Sequence, residues 1–252
     1  MRRSEFKLAD RPPFRPVESD NDRWGRALGR RPMRDDSDIA APGRSWHDDA
    51  VRIEQTELAD VLLLIPQPFR DDRGLFTRTF DVEIFEEYLG VPGAGAAFLQ
   101  DSQSRSGRGV VRGMHGRRGR GEAKLVRCAH GAVFDVLVDI RPGSPSFGRQ
   151  QAFRLDDAEF HHLYVPPGFL HGFQALTTTA DVCYRIDRPH DPAEDIGVAY
   201  DDPDLGIEWP LPVSVVSPRD ASAGSWEQVL RMVWQGHRGA DSQTIHGRSP
   251  LW

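Results

Sequence analysis

A chain of 252 residues is long enough to bury a sizeable core in one large domain, or in one domain with tails. A net charge of −6 with 38% hydrophobic and 28% charged residues is an ordinary globular balance and supplies no basic field for nucleic acid. No apolar run reaches the ~20 residues of a membrane-spanning helix, and no apolar stretch follows Arg2-Arg3 as an export signal requires, so the expectation is a cytoplasmic protein with neither membrane nor nucleic-acid partners.

Residues 1–50 carry eleven Arg/Lys and ten Asp/Glu, three prolines by position 16 and few aliphatics. Such a segment buries too little apolar surface to offset its ordering entropy, so it reads as a flexible or loosely docked extension. The folded domain is expected over 51–225. From Val61 the texture is one of short apolar runs separated by turn residues. Val61–Ile65 comes first, then a turn through Arg70 to Gly74 and a strand through Leu75, Phe76 and Phe80. Asp81 is placed to cap a short helix over 82–89, with Ile84, Phe85 and Leu89 on one face. Further strands are expected at 97–104, 110–115, 123–128, 132–140, 147–155, 160–165, 169–176 and 180–185. Many short strands at about ten-residue spacing indicate an all-β barrel or double-sheet jelly roll with a few short flanking helices. Trp226, Val229, Leu230 and Val233 have helical spacing, which predicts a helix within a tail over 226–252 that packs on the barrel. Cys128 and Cys183 lie in apolar strands with no metal or redox spacing and read as buried thiols.

Several ionisable residues fall inside these strands: Arg112, His115, Lys124, Asp135, Asp139 and His171. Each one alone reads as an exposed strand position or a satisfied polar group; together they indicate a polar barrel mouth. In a regular strand Arg112 and Met114 would share one face and His115 the other. A metal is disfavoured. Arg117 stands where a second histidine would be needed beside His115, and the adjacent His161 and His162 point to opposite faces of a strand. No Gly-x-Ser-x-Gly elbow is present, and neither cysteine has an evident activating setting.

The strings Arg112-Gly113-Met114-His115, Ala123-Lys124-Leu125-Val126, Phe134 to Arg141 and Gly143 to Gly148 resemble the dTDP-4-dehydrorhamnose 3,5-epimerase family. So do Pro166 to Phe173, the strand bearing Tyr184, Asp202-Pro203 with Ile207 to Pro210, and Ser217 to Asp220, all in the family's order over roughly residues 60–225. The resemblance implies a cofactor-independent, metal-free cupin jelly roll that forms a homodimer with strand exchange near its N-terminal part. It also implies a nucleotide-sugar substrate, a 4-keto-6-deoxyhexose whose C3 and C5 hydrogens are acidified by the ketone. On this resemblance His115 is the base, Asp220 the carboxylate that orients it, Lys124 the cation near the enolate oxygen and Tyr184 the acid on the opposite face. From the sequence alone Tyr184 would read as a core tyrosine.

Substrate contacts implied in the same way are Arg73, Phe76, Arg78, Gln100, Ser102, Arg112, His171, His190, Asp195 and Arg219, with Arg73 and Arg112 on phosphate. The chain departs from the family's pattern at Ser102, usually Asn, and at Asp195, usually Glu. Arg78 replaces a base-contacting Glu, and His190 replaces an aromatic that stacks on thymine; a guanidinium in place of an acceptor inverts the hydrogen-bond pattern. The segment Gly116 to Glu122 is richer in Arg and Gly than the family's and reads either as extra phosphate contacts or as a solvated loop. The alternatives of another class are a sugar-nucleotide-binding cupin without catalysis and a metal-dependent cupin enzyme. Within the epimerase reading, a 3-only or 5-only enzyme stands beside the 3,5-epimerase.

Overall fold

The computed structural model describes residues 51–89 and 98–234. The expected extension over 1–50, the expected strand start at Ala97 and the tail beyond 234 lie outside the described residues. Alternation of apolar and polar residues along short strands produces two antiparallel sheets that face each other. One has six strands in the order β1 (Val51–Gln55), β2 (Leu62–Pro66), β10 (His162–Val165), β7 (Lys124–His130), β12 (Thr179–Ile186), β5 (Gln100–Gly107). The other has five: β13 (Asp195–Gly197), β6 (Val111–Arg117), β11 (Phe169–Ala175), β8 (Ala132–Asp139), β9 (Gln150–Asp156). A separate hairpin pairs β3 (Phe69–Asp71) with β4 (Gly74–Phe76), so the turn expected through Arg70 to Gly74 narrows to Asp72 and Arg73, and the strand expected to reach Phe80 ends at Phe76. This is the double-sheet jelly roll expected from the strand spacing.

The two inner faces meet in one apolar core. Val126, Cys128, Leu163, Val165 and Val182 come from the six-stranded sheet, and Val133, Leu137, Phe153, Leu155, Phe169 and Phe173 from the other. The outer faces are covered by different devices. On the six-stranded sheet lies α1 (Val82–Leu89), whose start is capped as expected: Asp81 Oδ1 accepts the N–H groups of Glu83 at 3.1 Å and Ile84 at 3.4 Å. Phe85 drives into the sheet, edge-on to Phe98 and Tyr164 at 5.2 Å between centroids. On the five-stranded sheet lies the helix over 226–234. Its Trp226 and Val229 are buried beside Met114, Leu170, Val198 and Leu205, in agreement with the spacing read from the sequence. Asp202 Oδ2 accepts the Trp226 N–H at 3.0 Å and fixes where this helix begins.

Asp139, one of the charges inside a strand, is consumed by the loop that follows it. Its carboxylate accepts from Arg141 Nη2 at 2.7 Å and from the hydroxyls of Ser144 and Ser146 at 2.6 Å each. Burial pushes the Asp139 carboxyl up, but these donors hold it below the usual carboxylate range. Arg141 reaches on to Asp60 at 2.7 Å and ties the loop to the chain before β2.

Candidate active site

The site begins with an irregularity in β6. His115 lies opposite His171 on β11, but Arg112 lies opposite Phe173, so β6 carries one extra residue between the two pairs. The regular alternation expected from the sequence is therefore corrected. The bulge turns Arg112 to the side of His115, while Met114 points outward into the core beneath the 226–234 helix. Glycine permits this. A Cβ on Gly113, at φ +132°, would stand 2.5 Å from the Cα of Gly172, so the two strands approach closely only because both positions are glycine.

His115 Nε2 lies 2.7 Å from Asp220 Oδ1. Asp220 sits in the short helix α2 (Pro218–Ala221), which Ser217 caps by accepting the Asp220 N–H at 3.1 Å. Its second oxygen accepts the Gly113 N–H at 3.3 Å, so the bulge also fixes the carboxylate. Burial pushes Asp220 up, but His115, the Gly113 N–H and Ser217 together hold it below the usual carboxylate range. Burial pushes the His115 imidazole below its ordinary value, against Asp220, which pulls it up; Lys124 and Arg219 add to the lowering. The result is a neutral imidazole tied to an ionised carboxylate, with Nδ1 free of that bond.

Beside it stands a second pair. His171 Nε2 lies 2.8 Å from Asp135 Oδ2, and both side chains are buried. Lys124 faces these histidines from the opposite sheet, at the start of β7, and its charge is felt at His115. A small cavity is lined by Lys124 and His171 together with Arg117, Glu122, Val165 and Phe169. Tyr184 packs on the core beside Val126, its partner in register, which is two residues along β7 from Lys124. Ser102 pairs with Tyr184 and Gln100 with Ile186 across β12–β5, at the edge of the same sheet. Arg112 Nε donates to Ser106 Oγ at 2.9 Å and bridges the two sheets at this edge.

At the other rim Asp195, on β13, collects His190 Nε2 at 3.1 Å and Arg219 Nη2 at 2.8 Å. His115, Lys124, His171, His190, Asp195, Arg219 and Asp220 thus form one connected neighbourhood. Arg73, Phe76 and Arg78 do not join it within this chain. Arg73 pairs with Asp71 in the β3–β4 hairpin, and Phe76 is 56% exposed there. Arg78 pairs with Asp81 and lines a cavity under α1, on the outer face of the six-stranded sheet.

Two residues of this neighbourhood are not among the site residues expected from the sequence. Arg117 and Glu122, in a segment read as phosphate contacts or a solvated loop, are buried: Arg117 Nε stands 2.7 Å from Glu122 Oε2, and Glu122 Oε1 3.1 Å from Lys124 Nζ. The period of two could have found them, because Arg117 is two residues beyond His115 and Glu122 two before Lys124. Among the described residues no three His, Cys, Asp or Glu side chains are grouped as a metal ion would require.

Comparison with known proteins agrees with this geometry. The profile of the dTDP-4-dehydrorhamnose 3,5-epimerase family matches residues 55–228. The dTDP-4-dehydrorhamnose 3,5-epimerase of Escherichia coli K12 is 40% identical over 184 residues, 72% of this chain and 98% of that one. The dTDP-4-dehydrorhamnose 3-epimerase of Streptomyces niveus is also 40% identical, over 174 residues, 69% of this chain and 83% of its own. The crystal structure of the dTDP-6-deoxy-D-glucose-3,5-epimerase of Legionella pneumophila, in complex with dTDP-4-keto-L-rhamnose, is 36% identical with a TM-score of 0.68, covering 73% of this chain and 96% of that one. With its jelly roll, its matched span and these relatives, the chain belongs to the dTDP-4-dehydrorhamnose 3,5-epimerase family.

Proposed function

We propose that this chain inverts both C3 and C5 of a dTDP-linked 4-keto-6-deoxyhexose in deoxysugar biosynthesis, acting as a cytoplasmic homodimer without metal or cofactor. The observation that carries the reading is the His115–Asp220 pair, a neutral imidazole on an ionised carboxylate, in a cleft where Lys124 supplies positive charge.

In this mechanism His115 Nδ1 takes the proton from the carbon next to the ketone and becomes an imidazolium, which Asp220 stabilises. The electrons of the broken C–H bond pass into the carbonyl, and the enolate oxygen is held by the Lys124 ammonium. One preorganised donor of this kind is worth about 3 kcal/mol of barrier. The phenol of Tyr184 then returns a proton to the opposite face, which inverts the centre. His115 and Tyr184 regain their starting states by exchange with solvent, so each inversion leaves a solvent-derived hydrogen on carbon. Arg112, His171, His190, Asp195 and Arg219 orient the substrate, with Gln100 and Ser102 at the sheet edge. Arg73, Phe76 and Arg78 would serve the site of the second protomer, since they stand apart from His115 in their own chain.

The test is incubation with the dTDP-linked 4-keto sugar in deuterated water, read by mass spectrometry and proton NMR. Deuterium at C3 and C5 supports the proposal. Deuterium at C3 alone makes the chain a 3-epimerase, the activity named for the Streptomyces niveus relative. Exchange at neither centre overturns the reading.

A further inference from the structure

A buried carboxylate links two cations beside the proposed enolate site. Glu122 lies two residues before the start of β7, and its side chain is 8% exposed. One of its oxygens faces the Arg117 guanidinium at 2.7 Å and the other the Lys124 ammonium at 3.1 Å. Arg117 is itself fixed: Nη1 donates to the Pro189 carbonyl at 2.9 Å, and Asp195 Oδ1 lies 3.8 Å from Nε. Its side chain is only 4% exposed.

We propose that Glu122, gripped by Arg117, is a positioning residue that fixes the Lys124 ammonium at the enolate side of the cleft. The inference rests on the epimerase reading above. A lysine is a point charge on a four-carbon stem with many rotamers, and it must be held if it is to meet an oxyanion that exists only briefly. In a poorly solvated setting the Glu122 carboxylate is a strong tether. Left alone with Lys124, it would also cancel much of the charge the enolate needs. Arg117 removes that conflict by taking one oxygen, so the carboxylate is shared between two cations and the three groups together keep a net positive charge. The ammonium also lines the cavity that Lys124 shares with His171.

The test is a kinetic cycle on the full chain with the dTDP-linked 4-keto sugar, reading kcat and KM separately. Glu122→Gln is expected to lower kcat by roughly ten- to a hundredfold with KM little changed, the size of loss a misplaced group produces. In a Lys124→Met background the same substitution should have no further effect on kcat. Should Glu122→Gln fail to fold, with Arg117 left unpaired, Arg117→Met/Glu122→Gln removes both charges and should show the same kcat loss and the same silence over Lys124→Met. A parental kcat in a folded variant, a loss confined to KM, or an equal loss in the Lys124→Met background would overturn the inference. Activity of the unaltered chain keeps the two questions apart: if it incorporates no deuterium the epimerase reading fails first, and if it does, only the role of Glu122 is at stake.

Discussion

His115 is 35% exposed, open enough to meet a substrate and buried enough that its charged form is disfavoured. Its folded-state value lies below the ordinary 6.5, so the base stays neutral as pH falls through the range where a free histidine would protonate. The acid limb of kcat/KM is expected below pH 6.5. Asp220→Asn removes the group that raises His115, so it should move that limb lower still while reducing kcat; a limb that moves upward would contradict the assignment. Lys124→Met should reduce kcat by roughly a hundredfold, the cost of one oxyanion donor, with the fold intact by circular dichroism. At this scale recognisable strings pointed to His115, Lys124 and Asp220, which the structure brings into one neighbourhood; Tyr184, which reads from the residues alone as a core tyrosine, packs on the core. Arg117 and Glu122 were not legible, because a run such as Gly-Arg-Arg-Gly-Arg-Gly-Glu has the composition of a solvated loop. Only the fold shows that two of its charges turn inward and stand as an ion pair.

At the scale of elements, the pairing of β6 with β11 positions the base. Gly172 has no room for a side chain: a Cβ there would meet Met114 Sδ at 2.6 Å and the Arg112 carbonyl at 2.9 Å. Gly172→Ala is therefore expected to force the two strands apart, costing roughly 1–3 kcal/mol and lowering kcat through His115 and His171. The denaturant midpoint and kcat together check this; an unchanged midpoint would mean that the bulge is not tightly held. Strand positions were legible from turn residues, and so were the Asp81 cap and the 226–234 helix. The bulge was not legible, because an extra residue in one strand is defined by its partner across the ladder. Three short strands also escaped. β1 falls where the charged segment meets the domain, β3 lies partly in the polar run read as a turn, and β13 is three residues whose pairing with β6 comes from a contact distant in sequence.

At the scale of the molecule, one buried histidine sets an acid limit on stability. His162 is 4% exposed on the outer face of the six-stranded sheet, and burial pushes it down to about 3. Between its unfolded value near 6.5 and about 3 the unfolded chain binds the proton that the folded chain refuses, so stability falls with pH across that window. The slope for this one proton is about 1.4 kcal/mol per pH unit. His162→Leu should remove that slope from denaturant titrations at pH 6, 5 and 4; an unchanged slope would mean His162 is accessible to protons in the fold. The proposed dimer has an equally direct check. If Arg73 serves the second protomer's site, Arg73→Ala and His115→Ala proteins, each inactive, should regain activity on mixing. Random reassortment of a two-fold dimer would restore about a quarter of the sites. No recovery would place Arg73 in its own chain's site or in none.

The central claim is that His115 removes a proton next to a ketone, and exchange of hydrogen with solvent reports that step without any coupling reaction. The unaltered chain and His115→Ala, both shown folded, are incubated with the dTDP-linked 4-keto sugar in deuterated water. The expected result is deuterium at C3 and C5 with the unaltered chain and neither with His115→Ala above the uncatalysed rate. Exchange by His115→Ala at the rate of the unaltered chain would contradict the account.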